Sequence, residues 1–363
     1  MRIKEISITD LFGVFNHVIP LNLEEHITII YGKNGVGKTK LLKLIYEICS
    51  SVCYETPTIP FSQLTLSFDN GKMLNVDGKK IENSPEGHEL FLNQIDSIYS
   101  QINVRFIEDD RLLNSTSNNR TQQYNRQSML RAVSNYAQEL SKNIQAKLTA
   151  YGTLSQSLDR TFPARVVQQK QIPELTDKTF KDKLNQLEEK RSKLMDYGLL
   201  VKDENSGIKI QEDIDESTKK ILSVYIEDAE KKLSLFDDMA RKIDLLQRII
   251  NNKFHYKNIN ISKDRGFTFA TDDGKILHPA NLSSGEQHEL VLLYELLFKV
   301  EPNSLILIDE PELSLHVEWQ VQFLKDLQEI TQLSNIDVLI ATHSPDIIHD
   351  RWDLTVELKG PGE

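Results

Sequence analysis

Gly32-Lys33-Asn34-Gly35-Val36-Gly37-Lys38-Thr39 is the stretch whose reading decides the fold of this chain. The residues before it, Ile27-Thr28-Ile29-Ile30-Tyr31, form an apolar, β-branched run that reads as a strand. Those after it, Leu41, Leu44, Ile45, Ile48 and Val52, recur at 3/4 spacing and read as one buried face of a helix. Strand, glycine loop and helix in that order make a P-loop. Its glycines let backbone N–H groups turn inward around phosphate oxygens, and the helix N-terminus adds its positive end. Lys38 is placed to reach the β/γ-phosphates of ATP, and Thr39 to hold Mg²⁺.

The second half of such a site lies far downstream. Ser304 to Ile308 is a buried-strand pattern that runs into Asp309-Glu310-Pro311-Glu312. Asp309, at the strand's carboxyl end, is expected to bind Mg²⁺ through water beside Thr39. Glu310 is expected to polarise the attacking water as general base. Between the two halves, Asn281-Leu282-Ser283-Ser284-Gly285-Glu286-Gln287 opens an apolar helix reaching Val300. A helix N-terminus carrying serine hydroxyls and a glycine is a second phosphate-docking surface. Finally, Val338-Leu339-Ile340-Ala341-Thr342 reads as a strand ending in His343.

Bulk properties narrow the classes. At 363 residues and 39% apolar composition, the chain can bury one large core or two moderate ones. No apolar run reaches the length of a membrane span, and Met1 to Ile6 lacks a signal-peptide core, so no membrane association is expected. Cys49 and Cys53 lie one helical turn apart without His or Cys neighbours and read as buried small hydrophobes, which suits a reducing, cytoplasmic setting. A net charge of −11 argues against a wholesale nucleic-acid coat. Residues 111–170 run the other way: nine basic residues (Arg111, Arg120, Arg126, Arg131, Lys142, Lys147, Arg160, Arg165, Lys170) face Glu139 and Asp159, a local +7. This segment reads as a solvated helical face or a contact for an acidic part of the protein. It is also a candidate surface for nucleic acid or an acidic partner.

Organisation follows composition. Residues 1–110 read as strands with one helix, including a hairpin turn at Asp69-Asn70-Gly71. Asn114 to Gln127, almost wholly Ser, Thr, Asn, Gln and Arg, reads as a mobile loop. Residues 111–252 form a helical insertion. Phe180, Leu184, Leu187 and Leu194 keep heptad-like spacing interrupted by Arg191, and Ala229, Phe236, Met239, Ile243, Leu246 and Ile250 repeat the pattern. Residues 253–363 return to strands and helices. The expected fold is therefore α/β: a P-loop nucleotide-binding domain with a mixed sheet and flanking helices, carrying a helical hairpin or bundle.

In combination and order these motifs resemble an ABC-type ATPase of the group that includes SMC proteins, RecF, the OLD nucleases and ATPase subunits of bacterial anti-phage systems. The resemblance covers residues 1–110 and 253–363. The run from Asp309 to His316, the run from Ala341 to Pro345, and Val104-Arg105-Phe106-Ile107 leading to Arg111 resemble the OLD and defence branch more than transporters or RecF. Ser283–Glu286 resembles the ABC signature, with Ser284 where transporters carry glycine. His343 resembles the switch histidine that senses the γ-phosphate, and Ser314-Leu315-His316 the D-loop that crosses a dimer interface. Gln63 or Gln101 is the Q-loop candidate, and Phe12 or Phe15 the residue near adenine.

The resemblance implies a homo-oligomer built on ATP-sandwich dimers. Residues Gly32–Thr39, Asp309 and Glu310 of one protomer would face Ser283–Glu286 of the other. With no Toprim-like or HNH-type cluster in the sequence, cleavage is expected to need a separately encoded effector, a nuclease or Toprim-like protein. The leading expectation is the ATPase and sensor subunit of an anti-phage defence complex. The alternative is a RecF- or SMC-like repair or recombination ATPase that clamps DNA directly. A transporter subunit is disfavoured by the length of the helical insertion.

Overall fold

The computed structural model describes residues 1–50, 58–78, 103–107, 122–169, 176–201 and 215–361. The chain divides into two compact units, one of residues 1–129 with 283–363 and one of residues 130–282.

The first unit is built on two sheets. β3 (Ile27–Tyr31), β6 (Val104–Ile107), β10 (Leu305–Asp309), β11 (Asp337–Ala341) and β12 (Thr355–Glu357) form an all-parallel sheet in the order β12-β3-β11-β10-β6. Every residue of β10 and β11 is buried, the signature of parallel strands covered on both faces. The expected strand at the end of the second motif is therefore a central one. Register sets Asp309 opposite Ala341 and Ala341 opposite Ile30. All three strands run the same way, so the loops leaving β3, β10 and β11 emerge side by side at one edge, where open α/β sheets bind ligands.

The other sheet is antiparallel, in the order β2-β1-β4-β5, from β1 (Ile3–Leu11), β2 (Phe15–Pro20), β4 (Gln63–Phe68) and β5 (Met73–Asp77). Its strands alternate: Ile6, Ile8, Leu64, Leu66, Leu74 and Val76 are buried while the residues between them are not. The β4–β5 hairpin turns at Asp69–Gly71 as expected, with Gly71 at φ 79°. Between the two sheets lies α1 (Lys38–Ser50), whose Leu41, Leu44, Ile45 and Ile48 join one core with Ile6, Leu66, Leu307 and Leu339. Each such side chain contributes about 1.5–3 kcal/mol of burial free energy. Cys49 lies in this core, and burial pushes its thiol up to about 12, so it is an inert hydrophobe; Cys53 lies outside the described residues.

Among the described residues, the second unit holds α2 (Gln122–Gln168) from residue 130 onward, α3 (Asp177–Asp196), α4 (Glu216–Ser234) and α5 (Asp237–Lys253), and the antiparallel strands β7 (Lys257–Ser262), β8 (Gly266–Thr271) and β9 (Ile276–Leu277). The strands go with the helices through close backbone approaches. A Cβ at Gly266 would sit 1.7 Å from the Ala137 carbonyl oxygen, and one at Gly198 2.3 Å from that of Ile261. The expected seams are buried throughout, from Phe180 to Leu194 and from Ala229 to Ile250. Arg191 breaks its seam because its guanidinium bonds Tyr225 at the wall of a cavity of about 270 Å³, lined also by Tyr151, Phe162 and Asp228.

One expectation is corrected. Gln122 to Gln127 is the start of α2 rather than loop; residues 114–121 lie outside the described set. Gln and Arg are good helix formers.

Candidate functional site

The P-loop backbone is a direct consequence of its glycines. Gly35 and Gly37 sit at φ 88° and 93°, where a side chain is strained. A Cβ on Gly37 would also meet Leu11 Cδ2 at 2.7 Å. Lys33, Asn34 and Gly35 are exposed, whereas Val36 is buried and anchors the loop in the core. The loop runs straight into α1, whose first turn closes with Leu41 N–H donating to the Gly37 carbonyl at 2.8 Å. The first N–H groups of a helix have no partner along the helix itself, as anion binding at such an end requires.

Three loops converge on Lys38. Its Nζ donates to the Gly32 carbonyl at 3.1 Å and to His343 Nε2 at 2.5 Å. His343 Nε2 in turn lies 3.8 Å from Glu310 Oε1. Burial lowers the Lys38 pKa, and the negative charges of Glu310, Asp309 and Glu312 oppose that shift. Asp309 is buried at the end of β10. Glu310 follows it in a left-handed conformation, φ 44°, braced by its N–H donating to the Ala341 carbonyl at 2.8 Å. Pro311 disfavours the right-handed helical region for the residue before it, and left-handed backbone on a non-glycine residue is concentrated at functional sites. The P-loop, the acidic pair and His343 thus meet.

Ser283–Glu286 does something else within the chain. These residues cap α6 (Ser284–Tyr294) in a capping box: Glu286 N–H donates to Ser283 Oγ at 3.4 Å, and Ser283 N–H to Glu286 Oε2 at 2.8 Å. Ser283 and Ser284 are exposed, and a Cβ on Gly285 would meet nothing within 4 Å. Of the adenine candidates, Phe12 is the exposed ring, reaching the P-loop at Gly37, while Phe15 stacks on His17 at 5.9 Å. Gln63 opens β4 at an exposed position; Gln101 lies outside the described residues.

Residues 1–348 match the family model described as AAA ATPase domain. The chain belongs to that family. It is an ATPase, and the loop around Lys38 is the candidate for its nucleotide-binding element. A stretch of 125 residues is 30% identical to protein ea59 of Escherichia phage lambda, covering 34% of this chain and 24% of that protein. The chain therefore spans about a quarter of that relative's length. Among solved structures, it is similar to an Smc head domain with an extended coiled coil bound to the C-terminal domain of ScpA, derived from Pyrococcus furiosus. That match has a TM-score of 0.41 and 12% identity, over 99% of this chain and 94% of the other. It is also similar to the SMC head domain from Thermotoga maritima, with a TM-score of 0.37 and 10% identity, over 96% and 91%.

Three residues that pattern reading passed over shape the ATPase site. Glu312 accepts hydrogen bonds from the loop carrying His343. Gln320, on α7 (Val317–Ser334), donates to the Glu312 and Leu315 carbonyls at 3.1 and 3.4 Å. Buried His17 on β2 bonds the Val36 carbonyl through Nε2 at 3.1 Å, and burial lowers its pKa. Glu312 stands inside the quoted acidic run, and its three-residue distance from Asp309 was a legible signal. Nothing local marks His17, whose role depends on strand pairing.

For the basic segment the structure separates two kinds of residue. Arg165 is committed inside its own unit, gripping buried Asp228 through both guanidinium nitrogens at 2.5 and 2.6 Å. Arg131, Lys142 and Arg160 are exposed along α2, while Arg111, Arg120 and Lys170 lie outside the described residues. No helix among the described residues is long and apolar enough to cross a membrane.

Proposed function

We propose that this ATPase acts as an ATP-sandwich dimer, with Gly32–Thr39, Asp309 and Glu310 of one protomer opposed by Ser283–Glu286 of its partner. The observation that carries this reading is the α6 tip. Its two serines are exposed, Ser283 and Glu286 are satisfied locally, and a Cβ on Gly285 would face open space, so no packing among the described residues accounts for a glycine there. A glycine on an exposed helix N-terminus suits the close approach of a phosphate from outside. An apolar stripe beside the acidic pair supports the same reading. Leu313, Val317 and Val321, spaced four apart, are 65%, 67% and 45% exposed.

In this mechanism Lys38 exchanges the His343 nitrogen for phosphate oxygen, and the P-loop N–H groups orient the triphosphate. Thr39 and Asp309 would hold Mg²⁺. Both offer oxygen donors, a hydroxyl and a carboxylate, which suit an ion that arrives with the nucleotide phosphates and keeps its waters. When bound, the ion neutralises phosphate charge. Glu310 accepts a proton from the attacking water, and His343 senses the γ-phosphate from the opposite side. The ring of Phe12 forms a platform for adenine.

The biological role we propose is a sensor and regulatory subunit of an anti-phage defence complex, controlling a separately encoded effector such as a nuclease or Toprim-like protein. Its support is the resemblance of the runs 309–316 and 341–345 to the OLD and defence branch. A second reading, a RecF- or SMC-like ATPase that clamps DNA, has one observation of its own. Arg131, Lys142 and Arg160 are exposed at spacings that return to the same face of α2, over roughly 44 Å. Direct clamping predicts DNA-stimulated hydrolysis that falls steeply with salt.

The test is Glu310→Gln, assayed for hydrolysis and for mass in solution with ATP. The expected outcome is lost turnover with an ATP-stabilised dimer. Lost turnover with a monomer at every ATP concentration would sink the sandwich.

A further inference from the structure

We infer that Glu312 is the positioning residue for His343: its carboxylate fills a nest made by the switch loop's own backbone and so fixes where the imidazole points. One oxygen, Oε1, accepts from Thr342 Oγ1 at 2.8 Å, from His343 N–H at 2.9 Å and from Ser344 N–H at 3.2 Å. Successive N–H groups converging in this way make an anion-binding concavity. Here the anion belongs to the chain itself, three residues past Asp309.

The loop is held from two further sides. Thr342 N–H donates to the Ile30 carbonyl at 3.2 Å, which ties the loop to the strand that feeds the P-loop. Ser344 Oγ donates to Gln320 Oε1 at 3.2 Å, and Gln320 Nε2 donates back to the Glu312 carbonyl at 3.1 Å. Glu312 is thus the node joining the end of β10, the end of β11 and the first turn of α7. With the His343 backbone fixed at its nitrogen, the ring presents Nε2 to Lys38 at 2.5 Å and to Glu310 at 3.8 Å. Stability alone does not explain the node. Glu312 Oε2 is buried with no hydrogen-bond partner among the described residues, a costly arrangement for a carboxylate kept only as a brace.

Glu312 touches neither nucleotide phosphate nor attacking water in this scheme; it acts through His343. The inference therefore rests on the proposed role of His343, and the experiment separates the two. Glu312→Ala, Glu312→Gln, His343→Ala and the Glu312→Ala/His343→Ala pair are compared in the full chain. The readouts are steady-state ATP hydrolysis, mant-ADP binding and thermal midpoint. Removing Glu312 is expected to lower kcat by about 10- to 100-fold, the usual loss when the support of a functional group is removed. KM for ATP and mant-ADP affinity should stay within about twofold, because the P-loop is untouched.

Glu312→Gln keeps one acceptor oxygen and is expected to recover part of the loss. It also guards against misfolding of the alanine variant. The double variant should be no slower than His343→Ala, as expected when one residue works through another. If His343→Ala slows turnover but Glu312→Ala does not, the positioning role is wrong while the histidine's role survives. If His343→Ala leaves kcat unchanged, both fall. Additive losses in the double variant also overturn the inference.

Discussion

The ammonium of Lys38 lies 2.5 Å from Nε2 of His343. Lysine has donors only, so Nε2 is the acceptor, and in the proposed mechanism the imidazole holds the position that phosphate oxygen takes when nucleotide binds. Removing the imidazole frees Lys38 and takes away a group that would face the transferred phosphate. His343→Ala is expected to keep mant-ADP affinity and to reduce kcat by about 10²-fold or more. A variant with normal turnover would show that the pairing is a resting arrangement without a part in hydrolysis.

The stripe after the acidic pair gives a separate test of dimerisation. Leu313, Val317 and Val321 are exposed and form no part of the α1 core, so charging them is expected to leave the protomer intact. Val317→Glu with Val321→Glu is expected to abolish the ATP-dependent dimer formed by Glu310→Gln, with mant-ADP binding retained. Light scattering decides the matter: an undiminished dimer moves the interface elsewhere.

His17 carries a pH dependence. Burial lowers its pKa from the ordinary 6.5, with the Val36 carbonyl acting in the opposite direction. The unfolded chain therefore takes up this proton first as pH falls. The stabilisation is complete above 6.5 and is lost as pH drops from there through the depressed native value. His17→Gln, which keeps an N–H donor, should flatten that part of the stability profile measured by urea unfolding between pH 7.5 and 5.5. An unchanged slope would assign the acid sensitivity to another group.

Arg165 and the exposed basic residues of α2 make opposite predictions. Arg165→Ala strands the buried Asp228 carboxylate and is expected to destabilise the protein by about 1–3 kcal/mol. Arg131→Ala with Lys142→Ala should leave stability unchanged. If DNA is clamped directly, the same pair weakens DNA binding and reduces its salt dependence by about one unit of slope for each phosphate no longer neutralised. Calorimetry and salt titration read the two effects independently.

Much of this was open to pattern reading because it is local. The P-loop, the buried strand ending at Asp309, the hairpin at Asp69–Gly71 and the seams of α3 to α5 each follow from periodicity, glycine placement and β-branched runs. Ser283 and Glu286 were legible as a helix start, since a serine followed three residues later by glutamate is a capping pattern. What was misjudged was also local: Gln122–Gln127 lacks apolar periodicity yet is helical, its Gln and Arg being good helix formers.

By itself, then, the sequence determined that this chain carries a glycine loop of phosphate-binding pattern at the start of a helix and a carboxylate pair at the end of a buried strand. Those features are written within a few adjacent residues. Only the tertiary structure decided which side chains meet from 19 to 305 positions apart: Lys38 against His343, Glu312 inside the loop of Thr342 to Ser344, and His17 under Val36. The reason is the parallel register of β3, β11 and β10, which lines up the carboxyl ends of three strands from distant parts of the chain. Pairing between distant strands depends on the whole hydrophobic core, and no window of sequence contains it.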